Sequence, residues 1–338
     1  MSIKSSIKDP SIELDVINIG NYYNRIEYHK KAFKYLKQIN KHQCLIPEHK
    51  NDDIVEYKVA NNRLTLIKKI GSKSKYGLVY LTVDNDENTL FSFATKLMPY
   101  NDRNRIEIII VQFLSEITLK DKNPHFVLTY NAMLCDNKND EIKPFLPNLI
   151  RTDNYIIAVN ELANGNLKDF IFSTANTPEL FLNAIQQVIL SILSFHYFTQ
   201  GIFHNDCHYK NFLFHRIEPG GYFHYKIYDI DIYVENKGYV WMIWDFGLVG
   251  ISEEKQKKRL IDYMRIILIL NSEIKDPVFD NIKQMFHKIT NYRHSLLYFF
   301  GNSDSQFFKE LLFKIDGLFQ TTIPEGSKII NKNPYIIN

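Results

Sequence analysis

A short polar segment in the second half of the chain constrains the fold more than any other feature. His204, Asp206 and Asn211 follow the spacing His-x-Asp-x-x-x-x-Asn, and Asp245 begins an Asp-Phe-Gly triplet after a strand-like stretch. With roughly 1 residue type in 20 matching each fixed position, six matches in one chain have a chance on the order of 10⁻⁴. Carboxylate and amide oxygens are hard ligands that suit magnesium. The pattern therefore predicts a polar site whose side-chain oxygens suit a metal ion.

The overall composition indicates a large folded protein without a strong charge bias. The 338 residues are 45% apolar and 14% aromatic, and the formal net charge is +3. This length predicts about two domains, or one bilobal domain with extensions. So mild a charge balance does not favour binding to nucleic acid, and no nucleic-acid partner is expected.

Cysteine usage and hydropathy predict the compartment. Cys44, Cys135 and Cys207 are far apart and form no Cys-x-x-Cys pair, which argues against a disulfide framework or a zinc site. A reducing compartment is the default for such a chain. The N-terminus lacks the pattern of a signal peptide, and no apolar run approaches the roughly eighteen residues of a membrane span. We therefore expect a soluble intracellular, cytoplasmic protein with no membrane span.

Apolar periodicity divides the chain into a β-rich part and a helical part. Residues 1–60 are polar, with one helix predicted at Tyr28–Ile39. Branched and aromatic runs then predict a small antiparallel sheet with one helix, Asn104–Lys120, and helical periodicity dominates after Ala163. The predicted strands are Leu64–Ile70, Gly77–Val83, Leu90–Leu97, Phe126–Leu134 and Tyr155–Val159, and the later predicted helices are Leu167–Phe172, Pro178–Thr199, Glu253–Leu270, Pro277–Gly301 and Ser305–Phe319.

The region between the two polar motifs is long enough to hold an insertion. Tyr222–Tyr228 and Tyr239–Trp244 alternate in polarity after a Pro-Gly-Gly turn, which predicts a hairpin. The tail Ile329–Ile337 is expected to lie extended on the surface. The predicted divisions are an N-terminal extension 1–60, a β-rich lobe 61–162, a helical lobe 163–320 with the hairpin near 215–244, and an extended tail 321–338.

From about Leu64 to Leu270 these motifs and their order resemble the protein kinase superfamily, and the chain is similar to kinase-like proteins of giant, mimivirus-type DNA viruses. The resemblance implies an α+β, bilobal protein-kinase-like fold, with a small antiparallel β lobe carrying one helix and a larger, mainly helical lobe. It implies ATP and Mg²⁺ as cofactors, with Asp206 as the catalytic base and with Asn211 and Asp245 as the metal ligands. A viral protein of this kind would be found in the host cytoplasm or the virion.

Two other segments resemble the nucleotide-binding half of a kinase site. Gly71 and Gly77 frame a loop before the strand of Val79, although the middle glycine of the family pattern is absent. Phe-Ala-Thr-Lys, which ends at Lys96, resembles the strand that carries the phosphate-binding lysine. Strand alternation places Ala94 and Lys96 on one face.

An inward lysine needs a carboxylate partner. Glu116 on the following helix is the predicted partner of Lys96 because its neighbours are apolar, and Glu107 is the alternative. The segment that begins at Asn160 resembles the adenine-binding hinge, with Glu161 at its start and Ala163 at the donor position.

Three departures from the family pattern concern the substrate. Asn205 replaces the arginine that pairs with a phosphorylated activation loop, which predicts activity without such phosphorylation. His208 replaces a lysine of Ser/Thr kinases, is typical of aminoglycoside- and choline-kinase-like enzymes, and would either contact substrate or phosphate or serve a structural role. Fourteen residues separate Gly247 from Asp262, too few for the usual peptide-docking segment. Asp262 resembles the helical aspartate that anchors the catalytic loop.

Three functions remain open at this point. The leading hypothesis is an ATP- and Mg²⁺-dependent kinase that phosphorylates Ser or Thr of a protein substrate. His208 and the short segment before Asp262 favour a small-molecule phosphotransferase acting on a hydroxyl substrate. The irregular glycine loop favours a nucleotide-binding pseudokinase scaffold.

Overall fold

A seven-stranded antiparallel sheet is the largest element of the computed structural model, which describes residues 19–36, 45–51, 54–59, 63–71, 76–85, 91–136, 146–173, 177–251, 255–291 and 317–338. The strands are ordered β1-β2-β3-β4-β5-β7-β6, so each strand up to β5 pairs with the next along the chain. Their bounds are β1 Ile46–Asn51, β2 Ile54–Val59, β3 Leu64–Ile70, β4 Leu78–Asp84, β5 Ser92–Pro99, β6 Thr129–Asp136 and β7 Asn154–Glu161.

Each face of this sheet is covered by a helix. Helix α1 (Tyr22–Leu36) contacts β6 and buries Ala32 and Leu36 in an apolar cluster with Phe93, which projects from β5. Helix α2 (Asp102–Leu119) begins after Asn101, whose side chain accepts a hydrogen bond from the Asn104 N–H at 2.9 Å. Because β5 alternates, the side chains of Phe93 and Lys96 project to opposite faces.

The rest of the chain combines helices with two three-stranded sheets. In one sheet, β9 (Phe212–Arg216) lies between β8 (Gly165–Asn166) and β12 (Tyr239–Ile243); in the other, β10 (Tyr222–Ile227) lies between β11 (Ile230–Glu235) and β13 (Tyr335–Ile337). The helices are α3 Leu167–Ile171, α4 Pro178–Phe198, α5 Lys255–Glu273 and α6 Asp280–Asn291. The chain is thus a mixed α/β protein with a largely antiparallel sheet, compatible with an α+β fold.

Helix α4 is the apolar centre of the helical part. Thr177 caps it by accepting a hydrogen bond from the Leu180 N–H, and Pro178 occupies the first turn, where its missing N–H has no cost. By length and composition α4 could span a membrane, so the expectation that no segment approaches such a length is wrong. However, 83% of its most apolar window is buried inside the protein, as in the core helix of a soluble protein. It therefore does not establish a membrane span.

Most predicted elements are observed within two or three residues of their predicted ends. Helix α1 begins at Tyr22, six residues before its predicted start. The predicted helix Ser305–Phe319 lies almost wholly outside the described residues, as does the end of Pro277–Gly301, whose first part is a 3₁₀ turn followed by α6.

The predicted hairpin exists, but its strand pairing was wrong. Strand β10 pairs with β11, whereas β12 returns to pair with β9. The tail also differs from a surface segment, because β13 pairs in parallel with β10 and buries Tyr335 completely. The Tyr335 hydroxyl donates to Asp121 Oδ1 at 3.1 Å, which ties the tail to the end of α2.

A buried ion pair joins α1 to the end of β7. Arg25 donates from Nε to Glu161 Oε2 at 2.7 Å and from Nη2 to Oε1, and it also donates to the backbone oxygens of Pro124 and Phe126. His215 on β9 lies 2.9 Å from Glu161 Oε2. Although burial raises the pKa of Glu161, Arg25 and His215 outweigh it and lower this pKa to about 2. Helix α1 is therefore tied to the core through Arg25.

Replacing Arg25 by Met should lower the free energy of unfolding by about 3–5 kcal/mol, because the Glu161 charge stays buried without its cation. Lys30→Met is the matched control, since Lys30 pairs with Glu27 on the same helix in an exposed position and should cost less than about 1 kcal/mol. Urea unfolding measures both.

The dependence of stability on acid pH provides a second test of the ion pair between Arg25 and Glu161. In the folded protein the pKa of Glu161 is depressed. Its contribution to the free energy of unfolding is therefore complete above the unfolded pKa of 4.5 and is lost as the pH falls toward about 2. The difference between the unaltered protein and Arg25→Met should shrink over that range. Equal effects of Arg25→Met and Lys30→Met at pH 7 would contradict the assignment.

Candidate active site

Lys96 joins the sheet, α2 and the Asp-Phe-Gly triplet. Its ammonium Nζ, on β5, donates to Glu107 Oε1 on α2 and to Asp245 Oδ1 at 3.0 Å. The Lys96 and Glu107 side chains are 5% and 1% exposed, whereas that of Asp245 is 36% exposed and so borders an opening. Three segments distant in sequence thus meet at one cation.

The prediction that Glu116 is the partner of Lys96 was wrong. Glu116 is exposed, and its Oε2 lies 3.3 Å from the Nζ of Lys120, one turn further along the chain. Glu116 lies nine positions after Glu107, and at 3.6 residues per turn this is two and a half turns, so the two side chains lie on opposite faces. Of the apolar neighbours that suggested burial of Glu116, Leu114 and Ile117 are buried, but Phe113 is 46% exposed. Glu107, the alternative, occupies the buried face.

Charge pairing fixes the protonation states of this cluster. Burial lowers the pKa of Lys96, but the carboxylates of Glu107 and Asp245 outweigh it and raise this pKa above its usual value. Burial raises the pKa of Asp245, but Lys96 outweighs it and holds this pKa below the usual range. Lys96 is therefore a cation and Asp245 an anion at neutral pH.

Asp206 and Asn211 lie together in the loop before β9. Asn211 donates from Nδ2 to the Asp206 backbone oxygen at 2.9 Å and to its Oδ2 at 3.2 Å. Since Nδ2 is committed to Asp206, the amide oxygen is the atom of Asn211 left for a cation. The Asn211 backbone oxygen accepts from the N–H of Trp244 at 2.9 Å, which places Asn211 beside the residue preceding Asp245.

His204 serves this loop as a structural hydrogen-bonding group. Burial lowers its pKa, so the ring is neutral. Its Nδ1 accepts from the Asp206 N–H at 3.2 Å, which leaves Nε2–H to donate to the Trp244 backbone oxygen at 3.0 Å. His204 thereby connects the loop of Asp206 to the segment of Asp245.

Asp262 anchors the same loop, which confirms its predicted role. From α5 its two carboxylate oxygens accept the backbone N–H groups of His204 at 2.7 Å and Asn205 at 2.8 Å, and its Oδ2 lies 2.9 Å from His196 Nε2. Burial raises the pKa of Asp262, but His196 and His204 outweigh it and lower this pKa. The loop is therefore held by charge-assisted bonds from a fully buried side chain.

Two cationic or potentially cationic side chains face the Asp206 carboxylate. His208 Nε2 lies 3.5 Å from Asp206 Oδ2, while its Nδ1 accepts from the Lys210 N–H at 3.2 Å. Arg265 Nη2 lies 3.0 Å from Asp206 Oδ1. Burial raises the pKa of Asp206, but His208 and Arg265 outweigh it and lower this pKa. Arg265 was not among the predicted site residues, although its spacing of three residues from Asp262 on a helix places both on one face.

The Asp-Phe-Gly triplet is held in one orientation by its neighbours. Asp245 has φ +64°, a left-handed conformation that is uncommon for a residue with a side chain. Phe246 is buried and stacks on Phe195 of α4, with ring centroids 5.2 Å apart. The Gly247 backbone oxygen accepts a hydrogen bond from Arg103 Nε on α2. These contacts direct the Asp245 carboxylate toward Lys96.

The residues predicted to contact nucleotide share the Lys96 face of the sheet. Val79 on β4 pairs directly with Lys96, and Ala94 lies two residues before Lys96 on β5. A Cβ atom at Gly77 would lie 2.8 Å from Lys96 Cε and 3.3 Å from the Leu97 backbone oxygen, so a side chain at this position would displace the lysine. Gly71, at the other end of the loop, has φ +78°; residues 72–75 between them lie outside the described residues.

The predicted hinge residues differ in their surroundings. Glu161 pairs with Phe93 across the sheet, so its side chain lies on the face opposite Lys96, where Arg25 holds it. Any contact of Glu161 with nucleotide would therefore use its backbone. Ala163 lies in the partly exposed link between β7 and β8.

The donor set fits a magnesium ion. The Asn211 amide and the Asp245 carboxylate supply hard oxygen donors. Lys96 is shared by the carboxylates of Glu107 and Asp245, and burial raises the pKa of Glu107, whose Oε2 has no hydrogen-bond partner among the described residues. Within the described part of the chain, no cluster of three His, Cys, Asp or Glu side chains forms a ready-made metal site. A magnesium ion here would bind Asn211 and Asp245 through oxygen, and phosphate oxygens and water would complete its shell.

Two viral proteins are similar to this chain, and no family model matches it. Over 149 residues, 43% of this chain, it is 30% identical to the "Putative serine/threonine-protein kinase 019R" of Frog virus 3 (isolate Goorha), and the match covers 17% of that protein. Over 249 residues, 68% of this chain, it is 25% identical to the "Probable serine/threonine-protein kinase 380R" of Invertebrate iridescent virus 6, with 43% of that protein covered.

The chain thus spans less than half the length of either relative. At this identity and coverage, the similarities indicate a kinase-like relationship, in agreement with the resemblance of the motifs.

Replacing Asp262 by Asn should loosen the loop of Asp206, because an amide cannot accept from two backbone N–H groups as a carboxylate does. We expect the amide hydrogens of His204 and Asn205 to exchange about 10- to 100-fold faster, corresponding to about 1–3 kcal/mol. Asp276→Asn is the control, since Asp276 caps an exposed turn where Asn is equally suitable. Unchanged exchange at both amides would show that Asp262 is not the anchor.

Proposed function

We propose that this chain is an ATP- and Mg²⁺-dependent phosphotransferase, specifically a divergent Ser/Thr protein kinase that transfers the γ-phosphate of ATP to a protein hydroxyl. The observation that carries the proposal is the convergence of Lys96, Glu107 and Asp245 in one ion cluster beside the bonded pair Asp206 and Asn211. The two viral relatives, both named as Ser/Thr kinases, add to its support.

The proposal includes a bilobal protein-kinase-like arrangement. The seven-stranded sheet with α2 would form the small lobe, and α3–α6 with the two smaller sheets would form the larger one. In its support, Lys96 and Glu107 belong to the first group of elements and Asp206, Asn211 and Asp245 to the second. The candidate site would thus lie where the two groups meet.

On the nucleotide side, Lys96 would bind the α- and β-phosphates, with Glu107 fixing the position of its ammonium. Val79 and Ala94 would contact the adenine or ribose from the sheet, and backbone groups near Ala163 would bind the adenine edge. The magnesium ion would offset the phosphate charge that grows on the leaving oxygen. Asn211 and Asp245 would hold this ion through their side-chain oxygens.

On the acceptor side, Asp206 would accept the hydroxyl proton as the oxygen attacks the γ-phosphorus. The bond between this phosphorus and the β,γ-bridging oxygen breaks, and ADP leaves with both bonding electrons. Because the pKa of Asp206 is low, its main contribution would be to orient the hydroxyl. General-base assistance of this type contributes roughly 10²–10⁴ in rate.

His208 supports a second candidate, phosphorylation of a small molecule. Its imidazole is 30% exposed and lies 3.5 Å from the Asp206 carboxylate, so it can contact either an acceptor or a phosphate. Turnover of ATP with an aminoglycoside, choline or nucleoside but with no protein would favour this alternative. ATP binding with Mg²⁺, seen as a thermal shift without any turnover, would instead indicate a pseudokinase scaffold.

Transfer of labelled phosphate from ATP to protein tests the main proposal. Asp206→Asn should reduce the rate about 10²- to 10⁴-fold, because it removes the base while keeping the side-chain shape. Asp245→Asn should reduce it at least as much, because it removes the charged metal ligand. Retention of the transfer rate by both folded variants would rule out this site as the catalytic centre.

A matched pair of substitutions on α2 tests the lysine partner. Glu107→Gln should lower kcat/KM for ATP about 10- to 100-fold, since Lys96 then loses the charge that orients it. Glu116→Gln changes the same chemical group on the exposed face of the same helix and should leave kcat/KM within about twofold. The reverse order of effects would restore Glu116 as the partner and contradict the observed geometry. Both variants are measured under identical conditions.

A further inference from the structure

The loop of Asp206 is bound by two side chains from one face of α5. Asp262 accepts the backbone N–H of Asn205 at 2.8 Å, and Arg265 donates from Nη1 to the Asn205 backbone oxygen at 2.7 Å. Residues three apart on a helix are neighbours on its surface, which explains why one face holds both ends of this residue. The backbone of Asn205 is therefore fixed on both sides by α5.

Asn205 is the residue whose backbone most needs such support. It has φ +63°, a left-handed conformation that is costly for residues with a side chain and best tolerated by Asn. The next residue is Asp206, so the direction of its carboxylate depends on this turn. Holding the Asn205 carbonyl therefore restricts where the Asp206 side chain can point.

Arg265 also contacts the Asp206 carboxylate itself. Its Nη2 lies 3.0 Å from Asp206 Oδ1, while Asn211 and His208 approach the other oxygen, Oδ2. A guanidinium has a rigid fork of N–H donors, so it can bond a carbonyl and a neighbouring carboxylate at once, which a lysine ammonium does less well. Among the described arginines and lysines, Arg265 is the one that the structure pairs with Asp206.

Two loop positions close to Asp206 in the sequence offer no substitute for this cation. The residue before Asp206 is Asn205 and the second residue after it is His208, so neither position carries a permanent positive charge. The permanent charge beside Asp206 comes from α5 instead. Since its side chain is 42% exposed, Arg265 reaches Asp206 from the solvent side rather than from the core.

We propose that Arg265 is a positioning residue for phosphoryl transfer, which fixes the Asn205 turn and aims the Asp206 carboxylate at the acceptor hydroxyl. This inference rests on the proposed function. An exposed ion pair adds little to stability, so the contribution of Arg265 appears in the rate rather than in folding. Misplacing a catalytic group by about 1 Å can cost about 100-fold in rate, which sets the scale of the expected effect.

The test is a steady-state comparison of variants in the full chain. Arg265→Ala should lower kcat about 10- to 100-fold and leave KM for ATP within about twofold, because Lys96 and Asp245 are untouched. Arg265→Lys should recover only part of the loss. Arg105→Ala is the control, since Arg105 forms an exposed pair with Asp102 on α2 and should not change kcat. An unchanged kcat in Arg265→Ala, or a loss matched by a fall in thermal stability, would overturn the proposal.

A double variant separates positioning from a general structural effect. If Arg265 acts through Asp206, Arg265→Ala should lower the residual rate of Asp206→Asn protein by less than about twofold, because the group that it aims is already absent. If the two losses multiply in full, Arg265 does not act through Asp206 and the proposal fails.

Amide hydrogen exchange gives a readout that needs no catalysis. Arg265→Ala should speed exchange of the Asn205 and Asp206 amides about tenfold, whereas Arg105→Ala should not. If the unaltered protein transfers no phosphate, the proposed function fails and the catalytic part of this inference fails with it. In that case faster exchange would still establish that Arg265 orders the loop, and unchanged exchange would overturn the inference as a whole.

Discussion

The buried ammonium of Lys96 is the constraint on which the candidate site depends. A lysine taken out of water must keep its charge paired or lose it, and the pairing here comes from Glu107 on α2 and Asp245 beyond β12. Satisfying this one charge fixes α2 against the sheet and fixes the Asp-Phe-Gly segment against both. The loop of Asp206 is then held to that segment through Asn211, His204 and the backbone of Trp244. The site is thus one continuous polar network.

The sequence predicted those parts of the site whose position follows from local periodicity or from a spaced motif. Lys96 follows from strand alternation, and Asp206, Asn211 and Asp245 follow from motif spacing. The choice between Glu107 and Glu116 failed because apolar neighbours do not reveal which face of an amphipathic helix is buried. Helix α2 exposes Ile106, Ile109 and Phe113, so its apolar pattern alone did not mark the inner face. The tertiary partner, Lys96, decides the question.

Long-range contacts account for the other differences. The pairing of β10 with β11 and of β12 with β9 depends on which strand edges are free, and this information is absent from any one strand. The burial of Tyr335 depends in the same way on the edge of β10, so composition alone favoured a surface tail. Arg265 escaped notice because an exposed helical arginine has no distinctive pattern until the loop that it contacts has been placed.

The ion pair between Arg25 and Glu161 has a consequence for the choice of shorter fragments. The sequence suggested that a β-rich unit could begin at residue 61, but such a fragment would lack α1, which supplies the counter-charge of Glu161 and covers the apolar cluster around Phe93. Recombinant pieces that start there should be poorly soluble, because the apolar side chains that α1 covers would face solvent. Expression boundaries are better set ahead of Tyr22, where α1 begins.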